Sequence, residues 1–499
     1  MTDPLAGLRQ QAKILQRLYQ SGDANARQRI QMVRLRDEPR KRADFLHVIA
    51  RENGFTRWPE LKASVELHGL DRVAKQQRLR SAVAHGQTNL VLQLLDETPD
   101  LAGDDLALQI ALYDAEAVAR VIARSPERAT KSIQGRRPML HLAYSRMLSV
   151  WPGKEDQMIA IADTLLRAGA DVNDSYSAQR DGAETLSALY GALGFAGNMP
   201  LARWLLAHGA NPDDGESLYH ATELGHHDGL RLLLEYGANP VGTNALFRAM
   251  DFHDAQAIKL LLDAGAKPDD GMSALFHAAC RQSPPAVISL LLGAGADTQT
   301  PVMGTSPYAA AKVFGNEDLA EALAQSGAAT ALSEVEQILS DCVNGVATKG
   351  RWIDPAQLRG AYKFLLHELV PIQGRMDHIR ALVDAGMPWD VPDQQGVPPV
   401  QHAGWNGLVD VLEYFLKLGP DLSYVNGFGG TLLGTIIHGS ENCPERSTRD
   451  HLGCLKIVLE HGVALPRRAI KFAGNPEVAS FLGDWAEAHP GQVVGDGLG

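Results

Sequence analysis

The residues best equipped for chemistry in this 499-residue chain lie close together near its end: His438, Cys443, His451 and Cys454. Thiolates and imidazoles bind zinc in tetrahedral sets, usually built on a close pair such as C-x-x-C that fixes two ligands at once. Cys443 and Cys454 are eleven apart with no such pair, so no metal is expected. A Cys443/His451 couple could make a thiolate nucleophile beside an imidazole, but nothing around it supplies an oxyanion hole or a substrate pocket. Gly427-Phe428-Gly429-Gly430-Thr431 opens like a dinucleotide loop, yet the third glycine and the parallel-sheet context are missing. It reads as a loop tip turning into the next helix. His220, His226 and His227 fall at helix and turn positions and read as hydrogen-bonded structural residues, and Cys280 and Cys342 as buried helical ones. No phosphate loop, no G-x-S-x-G elbow and no H-E-x-x-H occurs. The chain is therefore expected to be no enzyme and to need no cofactor.

Composition narrows the class further. Hydrophobic residues make up 45% and charged residues 21%, with mean hydropathy at -0.15, which suits a folded, water-soluble chain. No run of 18 apolar residues is present for a membrane span, and the opening MTDPLAGLRQQAK lacks an apolar signal core. Four cysteines are no disulfide framework, so the expected compartment is the cytoplasm. Net charge is -12, but residues 1–80 hold 17 Lys/Arg against 9 Asp/Glu, with the basic run between Arg27 and Arg42. That run reads as a solvated helix face, since no aromatic residues are interleaved for stacking on bases. Nucleic acid is an unlikely partner on this reading, and the acidic remainder favours a basic protein.

The elements that position everything else come from repetition. One copy runs Leu218-Tyr-His-Ala-Thr-Glu-Leu-Gly-His-His-Asp-Gly-Leu-Arg-Leu-Leu-Leu-Glu-Tyr-Gly-Ala-Asn239, a short apolar helix, a turn and a second helix. Leu165–Asp171, Leu205–Asn211, Leu232–Asn239, Leu260–Ala266 and Leu290–Asp297 repeat its ending. In each, glycine takes the φ > 0 position that stops the second helix. This pattern resembles the ankyrin repeat, with its T-P-L-H-x-A opening and L-L-L-x-x-G-A-D ending. The resemblance implies an all-α ankyrin-repeat solenoid of about a dozen helix-turn-helix units, capped by a helical leader, with short fingers in the middle repeats. The expected divisions are a leader over residues 1–75, a first repeat block over 76–330 and an atypical connector over 331–360. A second block with long fingers follows over 361–486, then a flexible tail over 487–499.

The stretch Ala50-Arg51-Glu52-Asn53-Gly54-Phe55-Thr56-Arg57-Trp58-Pro59-Glu60-Leu61-Lys62 resembles the leader of a family of bacterial ankyrin-repeat proteins, as does Leu433–Ser440 its C-terminal repeats. That resemblance imports a fold and no activity. Phe55 and Trp58 are expected to pack the leader onto the first repeat. Spacing inside the array says more. From Gly209 to Leu218 and from Gly237 to Leu246 is 9 residues, and from Gly265 to Leu275 is 10, too short for a β-hairpin finger. Gly295 to Tyr308 is 13, Gly386 to Val400 and Gly419 to Leu433 are 14, and Gly169 to Leu189 is 20. Fingers carry contacts in such stacks, so a partner protein is expected at the C-terminal ones, through Trp389, Asp390, Tyr424, Asn426 and Phe428. Trp405, just before the turn at Gly407, could serve as core or as contact. The insertions at 147–156 and 440–450 read as loop decoration, and the free chain as a monomer.

Overall fold

The computed structural model describes residues 4–33, 42–55, 58, 61–62, 65, 68–177, 185–346, 350–358 and 360–495. The chain divides into two compact units. One comprises residues 70–300 and 316–329, the other residues 1–69, 301–315 and 330–499. No described helix is long and apolar enough to cross a membrane.

In the first unit, helices come in antiparallel pairs. Ala245–Asp251 with Ala255–Asp263 is representative, and it follows Ser217–Ala221 with Asp228–Glu235 and precedes Ala274–Arg281 with Pro285–Gly293. First helices pack on first helices of the next pair, and second on second. The local logic is plain in Ala255–Asp263. Asp254 starts it by accepting the Ala257 amide at 3.0 Å, and Ala257, Ile258 and Leu261 form the buried stripe. Gly265 then ends it at φ 98°, where any side chain would be strained. Asp254 also takes His227 Nε2 at 2.8 Å, so one carboxylate starts a helix and ties back to the preceding turn. Upstream, Arg72–Ala84 with Thr88–Glu97 and Leu106–Ala111 with Ala115–Arg124 form the same pairs from sequences with little of the signature.

The connections follow their lengths. The long one pairs Ser175–Ser177 with Thr185–Ser187 as an antiparallel hairpin, and Ile133 bridges Arg136 at another tip. The three short ones have no strand pairing among the described residues. Side chains replace it. Asn173 Oδ1 accepts the Asn211 amide, Asp213 Oδ1 that of Asn239 and Asp269 Oδ2 that of Asp297, each at 2.7 Å. Two of the short loops thus hold the next one through a carboxylate, Asp213 or Asp269; Asn173 reaches the first of them from the long connection, and the 237–246 loop instead donates its Gly242 amide to Asp270. Asp213→Ala should cost about 1 kcal/mol, the worth of one such bond, and Asp269→Ala about 2 kcal/mol, because Asp269 also accepts the Ala274 amide at 3.1 Å; Asn should restore most of the loss at Asp213 and about half at Asp269, and urea midpoints of the four variants check this.

The second unit opens with the leader, whose helices Pro4–Gln20, Ala24–Met32 and Arg42–Glu52 enclose a core of their own. Trp58 lies in that core beside Leu15, Phe45, Ile49 and Leu61, with Phe55 packed against it. The two aromatics therefore act within the leader. Of the basic run, Arg29 pairs with Glu52 at 2.7 Å, and residues 34–41 lie outside the described residues. Helix Glu334–Val343 packs against both Pro307–Phe314 and Met376–Asp384, so the segment expected to divide two blocks is a member of the stack. Its start is a capping box between Ser333 and Glu336. The pairs Pro399–Trp405 with Val409–Lys417 and Leu432–Asn442 with His451–Glu460 continue it. Beyond Pro476–Ala488 the chain, expected to be a flexible tail, folds back. Val493–Val494 pairs in parallel with Leu465–Pro466. Gln492 donates to the carbonyls of Leu459 and Val463 at 2.7 Å and accepts from Trp485 at 3.0 Å.

Candidate functional site

The Cys/His group near the end does not assemble. Cys443 is buried, its thiol pushed up by that burial against the pull of Arg449 and Arg446. His451 is lowered by burial and spends Nε2 on the Trp405 carbonyl at 2.9 Å. Cys454 is fully buried and its thiol raised by burial, then by Asp450 and Asp410. His438 lies against the Trp405 ring, centroids 5.2 Å apart, and bonds Asn442 at 2.9 Å. A protonated thiol and a committed imidazole make no nucleophile. Among the described residues no group of three or more His, Cys, Asp or Glu is arranged to hold a metal ion. His220 and His227 bond Glu223 and Asp254 at 2.7 and 2.8 Å, in keeping with a structural role.

The second unit's C-terminal fingers form a different kind of site. The chain from Val391 to Val397 is organised by Asp393, whose Oδ1 accepts the Gln395 and Val397 amides at 2.9 and 2.8 Å. Its Oδ2 takes His402 Nε2 at 2.8 Å, tying the finger to the first helix of its repeat. The next finger locks onto this one. Tyr424 OH donates to the Gly396 carbonyl at 3.0 Å and the Gly427 amide to that of Gln395 at 3.1 Å. Gly427 is required there, since a Cβ would collide with the Gln395 carbonyl oxygen.

Asn426, expected as a contact, is buried at 7% exposure. Its Oδ1 accepts the Phe428 and Gly430 amides at 3.0 and 2.9 Å, and its Nδ2 donates to Gln401 at 2.7 Å. It holds the loop and cannot meet a partner. Tyr424 is half-buried and spends its hydroxyl within the fingers. Trp389 is half-buried and Asp390 exposed, and Phe428 stands out at 73% exposure. Three exposed residues of the same region were not anticipated: Val391, Val425 and, most of all, Trp352 at 65%. Trp352 lies over Gly386, whose hydrogen faces the indole, and is held by the Ile353 amide donating to the Ala385 carbonyl at 2.7 Å. Its signal in the sequence was weak, because it stands in the irregular stretch after Gly350 rather than in a repeat. Trp405 is half-buried against His438.

In the first unit, the first helices carry a chain of ion pairs. Glu223 takes Arg248 Nε at 2.7 Å, and Asp251 takes His277 and Arg281, both at 2.9 Å. Burial pushes the Asp251 carboxyl up, but the His277 hydrogen bond and the charges of Arg281 and His277 outweigh it and hold it at about 2. Arg136 sits over the Tyr144 and Tyr176 rings at 4.6 and 4.3 Å. These charges are satisfied internally, so they stiffen the stack.

The family match over residues 246–333 agrees with the helix pairing there. No curated protein matches the chain. Among solved structures, the crystal structure of human ASB11 ankyrin repeat domain is similar at 23% identity over 44% of this chain and 90% of that one, with a TM-score of 0.21. Residues 246–333 match the family described as ankyrin repeats (3 copies), so this chain contains ankyrin repeats.

Proposed function

We propose that the chain is a non-catalytic scaffold that binds another protein through the fingers of its second unit. Ankyrin repeats generally mediate protein–protein interaction, and the observation that carries the reading here is the exposed apolar set Trp352, Val391, Val425 and Phe428 on a hydrogen-bonded, pre-organised frame. Preorganisation matters because ordering loops on binding would cost affinity. The exposed Asp390, on a chain of net charge -12, favours a partner with basic residues around an apolar centre.

The test is affinity capture from lysate of the source organism with the full chain and with the variant Val391→Ser/Phe428→Ser. One stoichiometric protein, retained by the parent and lost by the variant at an unchanged melting temperature, is the expected result. Equal capture by both would place the contact elsewhere. Capture of nucleic acid alone, lost as salt rises, would move the function to the basic leader.

A further inference from the structure

We propose that His367 is a pH-sensitive latch beneath the finger at 389–397, so that acidification releases that finger. The inference rests on the binding role above for its meaning, because Trp389, Asp390 and Val391 belong to this finger. The arrangement stands on its own geometry. His367, in helix Leu365–Leu369, is 7% exposed, with its ring edge-on to that of His402 at 5.4 Å and to Phe364 at 5.7 Å. Neither of its ring nitrogens has a hydrogen-bond partner among the described residues. The charged and titratable groups facing it are His402 and, bonded to that ring, Asp393; Asp393 and the Val391 and Phe364 carbonyls favour the protonated ring, but by less than burial and His402 disfavour it.

Asp393 is the one counter-charge available to two imidazoles, and His402 already occupies it at 2.8 Å. A proton on His367 would place a charge against the His402 ring, away from solvent and without a carboxylate of its own. Burial, then His402, hold the His367 imidazole down at about 4. The closed finger therefore rejects the proton, and an open finger, with His367 in water at its ordinary value near 6.5, accepts it. Acid then favours opening by linkage. From pH 7.5 to pH 5 the open fraction should rise roughly 30-fold. Opening breaks the Asp393 bonds to Gln395 and Val397 and the Gly396–Tyr424 link, which loosens Val391 and Trp389 together.

Backbone amide exchange on the full chain, measured at pH 7.5 and pH 5 and corrected for the intrinsic rate at each, tests this without any partner. Protection over 388–398 should fall by about 30-fold, and its exchange at pH 5 should depend little on added urea, whereas helix Leu432–Asn442, which opens with the whole unit, should carry the full urea dependence of unfolding. His367→Phe, which keeps an aromatic ring and removes the titrating group, should abolish the fall in 388–398. If that variant does not fold, the parent decides the question: no fall in 388–398, or a fall with the urea dependence of the helix, overturns the latch. Since the readout is exchange, a failure of the binding reading leaves this result intact, and a failure of the latch leaves the capture experiment intact.

Discussion

Between pH 7.5 and pH 5 the second unit should lose about 3 kcal/mol of stability. The main cause is a pair of buried imidazoles. His378 is 4% exposed with no partner for either ring nitrogen among the described residues, and burial, with Arg375 nearby, lowers it to about 3. His367 is held at about 4. A folded value below the unfolded one means that the unfolded chain binds the proton more tightly. The contribution of each is complete above about pH 6.5 and falls as pH drops toward the folded value, by about 2 kcal/mol per histidine at pH 5. Asp484 opposes them. Burial, then Glu487 and Asp44, raise it to about 6, so it disfavours the folded state at neutral pH and relaxes on acidification, returning about 1.4 kcal/mol. Urea unfolding at the two pH values reads the net. His378→Leu should remove about 2 kcal/mol of the acid sensitivity, and Asp484→Asn should enlarge the net loss. A parent equally stable at both values would contradict the assignment of neutral, unpartnered imidazoles.

In the first unit, Asp251→Asn should cost about 2.5 kcal/mol at pH 7, with the opposite pH signature. This carboxyl is depressed from 3.8 to about 2. Its stabilisation is present above the unfolded value and is lost as pH falls through the folded one. The gap between parent and variant should therefore be constant from pH 7 to pH 5, shrink to about half at pH 3, and almost close at pH 2. The size follows from leaving Arg281 and His277 facing an amide where each had a carboxylate oxygen at 2.9 Å. A loss below about 0.5 kcal/mol at pH 7 would mean that the network behaves as an ordinary surface pair.

How much of this could be read from the residues follows from the range of the interactions. Helix stops are local, so Gly265 and its equivalents marked the second helices correctly. Connection length is local too, and the 20-residue stretch from Gly169 forms a hairpin where the 9-residue ones do not. Asn426 was misjudged because its partners, Gln401 and Thr435, lie on the first helices of two successive repeats; an asparagine in a glycine-rich tip looks exposed until that packing is known. Trp352 and the tail through Val494 were missed for the same reason, since both dock on earlier segments without a periodic pattern. The roles of Asp213 and Asp269 depend on backbone amides 26 and 28 residues away. In the sequence the motif Pro-Asp-Asp-Gly, at 212–215 and 268–271, reads as a turn and nothing more.

Those loop-to-loop links fix the position of the copy they reach. The acceptor is a side chain, but the donor is only a main-chain amide, at Asn211, Asn239 and Asp297, so the junction does not read what residue the next copy offers. It reads the position of that copy. Pro212 and Pro240 follow the first two donors directly, and a frame shifted by one residue would present a proline with no hydrogen to give. Insertion of a single residue beside these amides should therefore cost the link, whereas exchange of the donor residue's side chain should not.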